Sequence, residues 1–196
     1  MTSTLPRPLL IDRLSPRPDF TRTAHVVVDA DPSTTYRALR GLDFSDLHGP
    51  VLDIVTWARR LPDLLRGRPT WHSRMTLDDI PAGSGWVRLG ELPDTEIVFG
   101  AIGTFWRPFV HVRDLEARDF PDFARPGYGK VACSLSVFPY GQRRTVLTYE
   151  TRTTATDPRA WTRLRRYWRL AGPFITMLEH AVLRSIKEHA ERGGSR

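Results

Sequence analysis

The fold is decided by residues 144–160, RTVLTYETRTTATDPRA, which join a strand to a helix. Apolar and polar side chains alternate from Arg144 to Thr154, the pattern of a half-buried strand. Thr156 or Asp157 is placed to cap the helix that follows, and Pro158 suits its first position because no N–H is needed there. A strand that leads directly into a long closing helix indicates an α+β fold in which a curved antiparallel sheet grips that helix.

The closing helix is predicted to extend to about Ala190, with a kink or break at Gly172-Pro173, because Pro173 cannot donate to the carbonyl of Arg169. Apolar residues recur three and four apart, which predicts a single buried stripe. The stripe consists of Trp161, Leu164, Trp168, Ala171, Ile175, Leu178 and Val182. The arginines expected on the opposite, solvated face are Arg159, Arg163 and Arg166.

Composition narrows the class of protein. A chain of 196 residues with 40% hydrophobic content predicts one core, so we expect a single domain over 21–192. Before it we expect a Pro/Arg-rich, extended or partly disordered arm over 1–20, and after it a flexible tail over 193–196. The net charge is +7, yet the basic residues are spread along the chain and all but Lys130 and Lys187 are arginine. Because no basic block is formed, no nucleic-acid partner is predicted.

The absence of long apolar runs predicts a protein without stable membrane insertion. No run approaches the ~20 residues that cross a bilayer, and no signal peptide is recognisable. Cys133 is the only cysteine, which excludes an internal disulfide and fits a reducing compartment. We therefore expect a cytoplasmic location.

The remaining elements follow from local patterns. Asp31 is placed to cap a short helix through Leu39, and a second helix is expected over 50–65. Both helices lie between the first predicted strand and a run of antiparallel strands. A long loop is expected over 116–127. The predicted strands before Arg144 are Thr23–Asp29, Gly85–Glu91, Thr95–Gly103, Tyr128–Phe138 and a weaker one at Phe109–Leu115.

This order of elements resembles the START-like (SRPBCC) superfamily, the helix-grip proteins that include the birch-pollen allergen, lipid-transfer START domains and bacterial polyketide cyclases. Three stretches also resemble a bacterial group within it: residues 99–108, FGAIGTFWRP; residues 148–152, TYETR; and residues 166–170, RYWRL. The resemblance covers about residues 22–191. It implies a cavity between sheet and helix, in proteins that range from carriers to cyclases.

The cavity should be lined by the apolar parity of the strands and by the helix around the proposed bend. The apolar parity of the last hairpin comprises Val131, Cys133, Leu135, Val137, Leu147, Tyr149 and Thr151. The predicted ligand-binding residues are Phe99, Leu135, Leu147, Tyr149, Trp168, Phe174, Ile175, Met177 and Leu178. Plain core packing is the alternative interpretation of the same residues.

Four polar side chains on predicted strands are candidate catalytic groups, because an acid or base inside an apolar cavity has a shifted pKa suited to proton transfer. They are Arg88, Glu96, His111 and Tyr149. Each is alternatively an exposed group or a partner in a structural pair. The histidines lack a His-x-x-x-His pair, so no metal site is predicted, and no cofactor motif is present.

Three hypotheses therefore remain open. The first is a module that binds a hydrophobic small molecule, such as a lipid, an isoprenoid or a polyketide. The second is a cofactor-independent cyclase or dehydratase that uses polar groups in the same cavity. The third is a contact with a membrane surface or a nucleic acid through the basic helix face.

Overall fold

A computed structural model describes residues 8–43, 76, 84–107 and 110–193 of the chain. In these ranges five strands form one curved antiparallel sheet in the order β1-β5-β4-β3-β2, and a long C-terminal helix packs across it. The predicted helix-grip α+β fold is confirmed, whereas the helix expected over 50–65 lies outside the described residues. The helices and strands are α1 (Leu10–Leu14), β1 (Phe20–Val28), α2 (Pro32–Arg40), β2 (Trp86–Leu92), β3 (Glu96–Gly103), β4 (Gly129–Tyr140), β5 (Arg144–Ala155) and α3 (Pro158–Gly193).

The inner face of the sheet is the one predicted from alternation. Along β5, buried residues alternate with more exposed ones from Thr145 to Thr153, and the buried set faces α3. Leu135 of β4 and Leu147 of β5 belong to the main core together with Ile186 of α3. Both predicted hairpins are confirmed to within two residues at each end.

Strand β3 lacks alternation because both of its faces are covered. All eight of its residues are buried. Ile97 and Phe99 belong to the main core, whereas Val98 and Ile102 belong to a second cluster on the outer face. A strand covered on both sides reads as a continuous apolar run, so its sequence could not show which side chains point inward.

The second cluster is covered by the N-terminal segment, which corrects the expectation of an extended arm. Residues 10–14 form the short helix α1, and Ile11 is fully buried against β3 and β4. Phe120, in the connection between β3 and β4, covers the same cluster. That connection contains a 3-10 helix at Ala117–Asp119 where a long loop was expected.

Of the strand predicted at Phe109–Leu115, the described residues 110–115 contribute an isolated bridge between Gly103 and Val112 instead of a strand. Its approach to β3 is close, because a Cβ atom at Gly103 would lie 2.7 Å from the carbonyl oxygen of His111. Glycine therefore permits this contact where any side chain would obstruct it. The segment then leaves the sheet.

Helix α3 begins as predicted and continues further without interruption. Asp157 caps it: Oδ1 accepts hydrogen bonds from the backbone N–H groups of Arg159 (2.8 Å) and Ala160 (3.0 Å). The helix passes through Pro173 and is 36 residues long, so of the predicted kink or break, the break does not occur. Its C-terminal half packs into the main core, and its N-terminal half rises over the other end of the sheet. In the described part of the chain, no helix has the length and apolar character needed to cross a membrane.

Candidate functional site

A cavity of about 280 Å³ lies between the inner face of the sheet and the N-terminal half of α3. The strands contribute its floor, and the helix contributes one wall. Most of its surface is apolar, and aromatic side chains surround it. The lining residues are Trp86, Phe105, Val131, Cys133, Tyr149, Thr151, Thr153, Leu164, Tyr167, Trp168, Ala171, Phe174, Ile175, Met177, Leu178 and Glu179.

The predicted ligand-binding residues occupy two different positions. Those that border the cavity are Tyr149, Trp168, Phe174, Ile175, Met177 and Leu178. Phe99 lies beside it, with its ring 5.7 Å from that of Trp86 and 6.4 Å from that of Tyr149. Leu135 and Leu147 are not among the residues that line the cavity and lie in the main core.

Three of the four candidate catalytic groups lie away from the cavity. Arg88 is partly exposed on β2 and pairs with Glu91 at 3.4 Å. His111 is exposed, and its backbone carbonyl accepts from the N–H of Thr104. Glu96 is fully buried but points to the outer face of the sheet. The sequence could not show which face Glu96 occupies, because strand β3 is apolar on both faces.

Glu96 holds the N-terminal helix in place. Its carboxylate accepts hydrogen bonds from the backbone N–H groups of Leu10 and Ile11 and from the hydroxyl of Ser134 (2.6 Å). These donors account for a fully buried carboxylate without a ligand. Glu96 is therefore a structural residue that anchors α1 on the sheet.

Tyr149 does border the cavity, and its environment keeps it neutral. Burial raises the pKa of its hydroxyl well above the usual value, and the neighbouring Cys133 adds to the shift. Burial likewise raises the pKa of the Cys133 thiol to about 12. Both groups therefore stay protonated near neutral pH, and Cys133 is not a nucleophile there.

Sequence reasoning missed the one carboxylate that lines the cavity, Glu179. Its side chain is 2% exposed, and Oε1 accepts a hydrogen bond of 2.8 Å from the hydroxyl of Thr151. Burial raises the pKa of Glu179, against the opposing effects of that hydrogen bond and of Arg22. The sequence did contain an indication of this residue. Glu179 is placed four residues after Ile175 and three before Val182, within the apolar stripe of the closing helix, where a charged side chain is unexpected.

Arg22 is the cation beside this carboxylate. It lies on the inward parity of β1, and its Nε is 3.8 Å from Glu179 Oε2. Its guanidinium also donates to the hydroxyl of Thr176 and stands 6.0 Å from the ring centre of Trp168. The cavity therefore combines apolar walls with one charged corner.

The arrangement can hold an apolar molecule and can exchange a proton with it. Among the described residues, no group of three or more His, Cys, Asp or Glu side chains could hold a metal ion.

Comparison with known proteins gives structural similarity at low sequence identity. No protein-family model matches the chain, and no curated protein matches it. A conserved protein from Geobacillus kaustophilus is similar over 88% of this chain and 96% of its own, at 8% identity and a TM-score of 0.41. Truncated norcoclaurine synthase from Thalictrum flavum is similar over 86% of this chain and 92% of its own, at 13% identity and a TM-score of 0.39. The Zhui aromatase/cyclase from Streptomyces sp. R1128 is similar over 88% of this chain and 94% of its own, at 14% identity and a TM-score of 0.30.

Proposed function

We propose that this protein binds an apolar small molecule, such as a lipid, an isoprenoid or a polyketide-like compound, between the sheet and α3. The observation that carries the proposal is the cavity of about 280 Å³ with its apolar and aromatic lining. An engineered apolar cavity of about 150 Å³ accommodates benzene, so this one has room for roughly eleven non-hydrogen atoms. That size corresponds to a bicyclic ring system or a monoterpene-sized chain.

The helix wall offers an adaptable entrance to the cavity. Phe174 and Leu178 border it and are 49% and 37% exposed, so their side chains extend from the cavity to the surface. Met177 lies between them in the sequence and also borders the cavity. Flexible thioether and aromatic side chains can adjust to ligands of different outline.

Native mass spectrometry of the purified protein, before and after incubation with the bicyclic hydrocarbon tetralin, tests this proposal. We expect a one-to-one complex. Ala171→Phe places a ring in the cavity and should abolish binding, whereas the matched variant Leu170→Phe changes a side chain that is 77% exposed and should leave it intact. A wild-type protein that carries no ligand from its host and takes up no tetralin would reject the proposal.

A second candidate function, a cofactor-independent cyclase or dehydratase, is favoured by Glu179. A buried carboxyl with a raised pKa, facing an apolar cavity, suits removal or delivery of a proton at carbon. The neutral hydroxyl of Tyr149 borders the same cavity and is a hydrogen-bond donor for an enolate oxygen. The candidate base, Glu179, and the candidate hydrogen-bond donor, Tyr149, thus border the same cavity.

Exchange of the α-protons of a bicyclic ketone in D2O, followed by NMR, tests the enzymatic function. In this step the carboxylate takes the proton from carbon and the enolate regains a deuteron from solvent. Wild type should accelerate exchange, and Glu179→Gln should return it to the rate in buffer. Exchange that is equally fast in the variant would remove Glu179 from this role.

We also place the protein in the cytoplasm, without a nucleic-acid partner. The support is the single cysteine, Cys133, which is buried and free, and the spread of arginines along the chain. Salt-insensitive behaviour on a heparin column would agree with the absence of a nucleic-acid partner. Retention that depends steeply on salt would contradict it.

A further inference from the structure

Buried polar atoms without a hydrogen-bond partner among the described residues lie at or beside one corner of the cavity. They are Oγ1 of Thr153, Nε1 of Trp168 and Nε of Arg22. Thr153 has no exposed surface, and Thr153 and Trp168 both line the cavity. We call these three residues, together with Thr151 and Glu179, the polar corner.

The contacts bring these residues together. Phe20 and Arg22 of β1 are paired with Thr153 and Thr151 of β5. Trp168 of α3 lies over both β1 residues, with its ring 6.3 Å from that of Phe20 and 6.0 Å from the guanidinium carbon of Arg22. The indole therefore sits above the strand pair whose inward residues include Thr153.

The chemistry of the unpaired atoms identifies what would satisfy them. Buried polar groups in folded proteins are nearly always hydrogen-bonded. The indole N–H donates only, and the threonine hydroxyl also donates. Oγ1 of Thr151 is not available, because it already donates to Glu179. A group that accepts two hydrogen bonds at one point meets the need of Thr153 and Trp168 together.

The charges nearby limit the choice of acceptor. Glu179 and Arg22 lie 3.8 Å apart and compensate each other. A ligand carboxylate would add a second negative charge beside a carboxylate already buried, and an ammonium would leave the indole N–H, which only donates, without an acceptor. A neutral carbonyl oxygen has two lone pairs and no charge.

We propose that the ligand carries a neutral carbonyl oxygen, which accepts hydrogen bonds from Thr153 Oγ1 and Trp168 Nε1 while the rest of the molecule fills the apolar cavity. This inference rests on the proposed binding function and specifies the ligand class as an apolar ketone or ester. It assigns Thr153 and Trp168 as the residues that orient the ligand.

The test compares two probes of equal shape, α-tetralone and its hydrocarbon isostere with an exocyclic methylene group, by titration calorimetry on the full chain. Two neutral hydrogen bonds predict about 10-fold tighter binding of the ketone. Thr153→Val and Trp168→Phe should each reduce that preference to about 3-fold, and the double variant should remove it. Hydrocarbon binding should persist in the Thr153→Val protein.

Thr148→Val is the matched control, since Thr148 lies on the same strand with its hydroxyl bonded to His25 on the outer face. It should retain the full ketone preference. Equal binding of both probes to the wild type would overturn this inference and leave the proposed binding function standing. A preference that survives the double variant would also overturn it, and failure of both probes to bind would refute the binding function itself.

Discussion

Two threonines on the same face of β5 should respond in opposite directions to the same substitution. Thr151 donates a 2.8 Å hydrogen bond to the buried Glu179, whereas Oγ1 of Thr153 has no partner among the described residues. Both side chains are buried, at 4% and 0% exposure. Replacement by valine keeps the branched shape and exchanges the hydroxyl for a methyl group, so each variant reports on the loss of one O–H group.

The magnitudes follow from the two environments. A buried polar group without a partner costs about 1–3 kcal/mol of folding stability. Because the adjacent cavity has room for water, we take the lower end and expect Thr153→Val to stabilise the protein by about 1 kcal/mol. Thr151→Val removes a hydrogen bond to a charged acceptor, which costs about 2 kcal/mol. For a chain of this size, each kcal/mol shifts Tm by about 2–4 °C.

Urea unfolding of both variants in the absence of ligand, at about pH 8 where Glu179 carries more charge, measures the two effects. The expected difference between them is about 3 kcal/mol, with opposite signs relative to the wild type. If both variants lose stability to a similar extent, the hydroxyl of Thr153 is satisfied in solution. The basis for assigning it to a ligand would then disappear.

Three further substitutions test other parts of the structure. Burial raises the pKa of Glu179, so its protonated carboxyl favours the folded state at low pH, and this contribution to folding stability is lost as pH rises through that pKa. The stability of Glu179→Gln, measured by urea unfolding, should therefore rise relative to that of the wild type as pH increases from about 4 to 8. Glu96→Gln turns one acceptor into a donor facing the N–H of Leu10 or Ile11, so we expect a loss of about 2 kcal/mol and faster hydrogen exchange at α1, whereas unchanged exchange would contradict the anchoring role. Asp31→Ala removes the cap that accepts from the N–H of Thr34 (2.9 Å) and should cost about 1 kcal/mol in thermal unfolding; hydrogen bonds from Ser33 and Thr34 hold the pKa of Asp31 well below its usual value, so this cost should vanish in acid.

The sequence predicts the closing strand and helix well because their signals are local. Alternation from Arg144 to Thr154 reports one buried face, and the cap at Asp157 needs only its own neighbours. The sequence predicted a kink or break at Pro173, and the helix is not broken there, because the packing of a 36-residue helix against the sheet outweighs the loss of one hydrogen bond. The helical conformation of residues 10–14 depends on a distant carboxylate, Glu96, and no local pattern reveals that contact.

Sequence patterns identified much of the apolar lining of the cavity but did not identify Glu179 or its neighbour Arg22. Helical spacing places Trp168 and Ile175 on one face, and both border the cavity. Glu179 and Arg22 interrupt apolar patterns, but a single interruption is also what an exposed charge produces at the edge of a stripe. Only the pairing of β1 with β5 and the position of α3 bring these two residues within 3.8 Å of each other.

The location of the cavity follows from a change in side-chain chemistry along β5. Its inward residues are Leu147 and Tyr149 toward the main core, and Thr151 and Thr153 toward the N-terminal half of α3. Thr151 and Glu179 satisfy each other, whereas Oγ1 of Thr153 has no partner among the described residues and still needs one. Valine in place of Thr153 would avoid that cost, so a hydroxyl at this position is what the proposed carbonyl ligand would require.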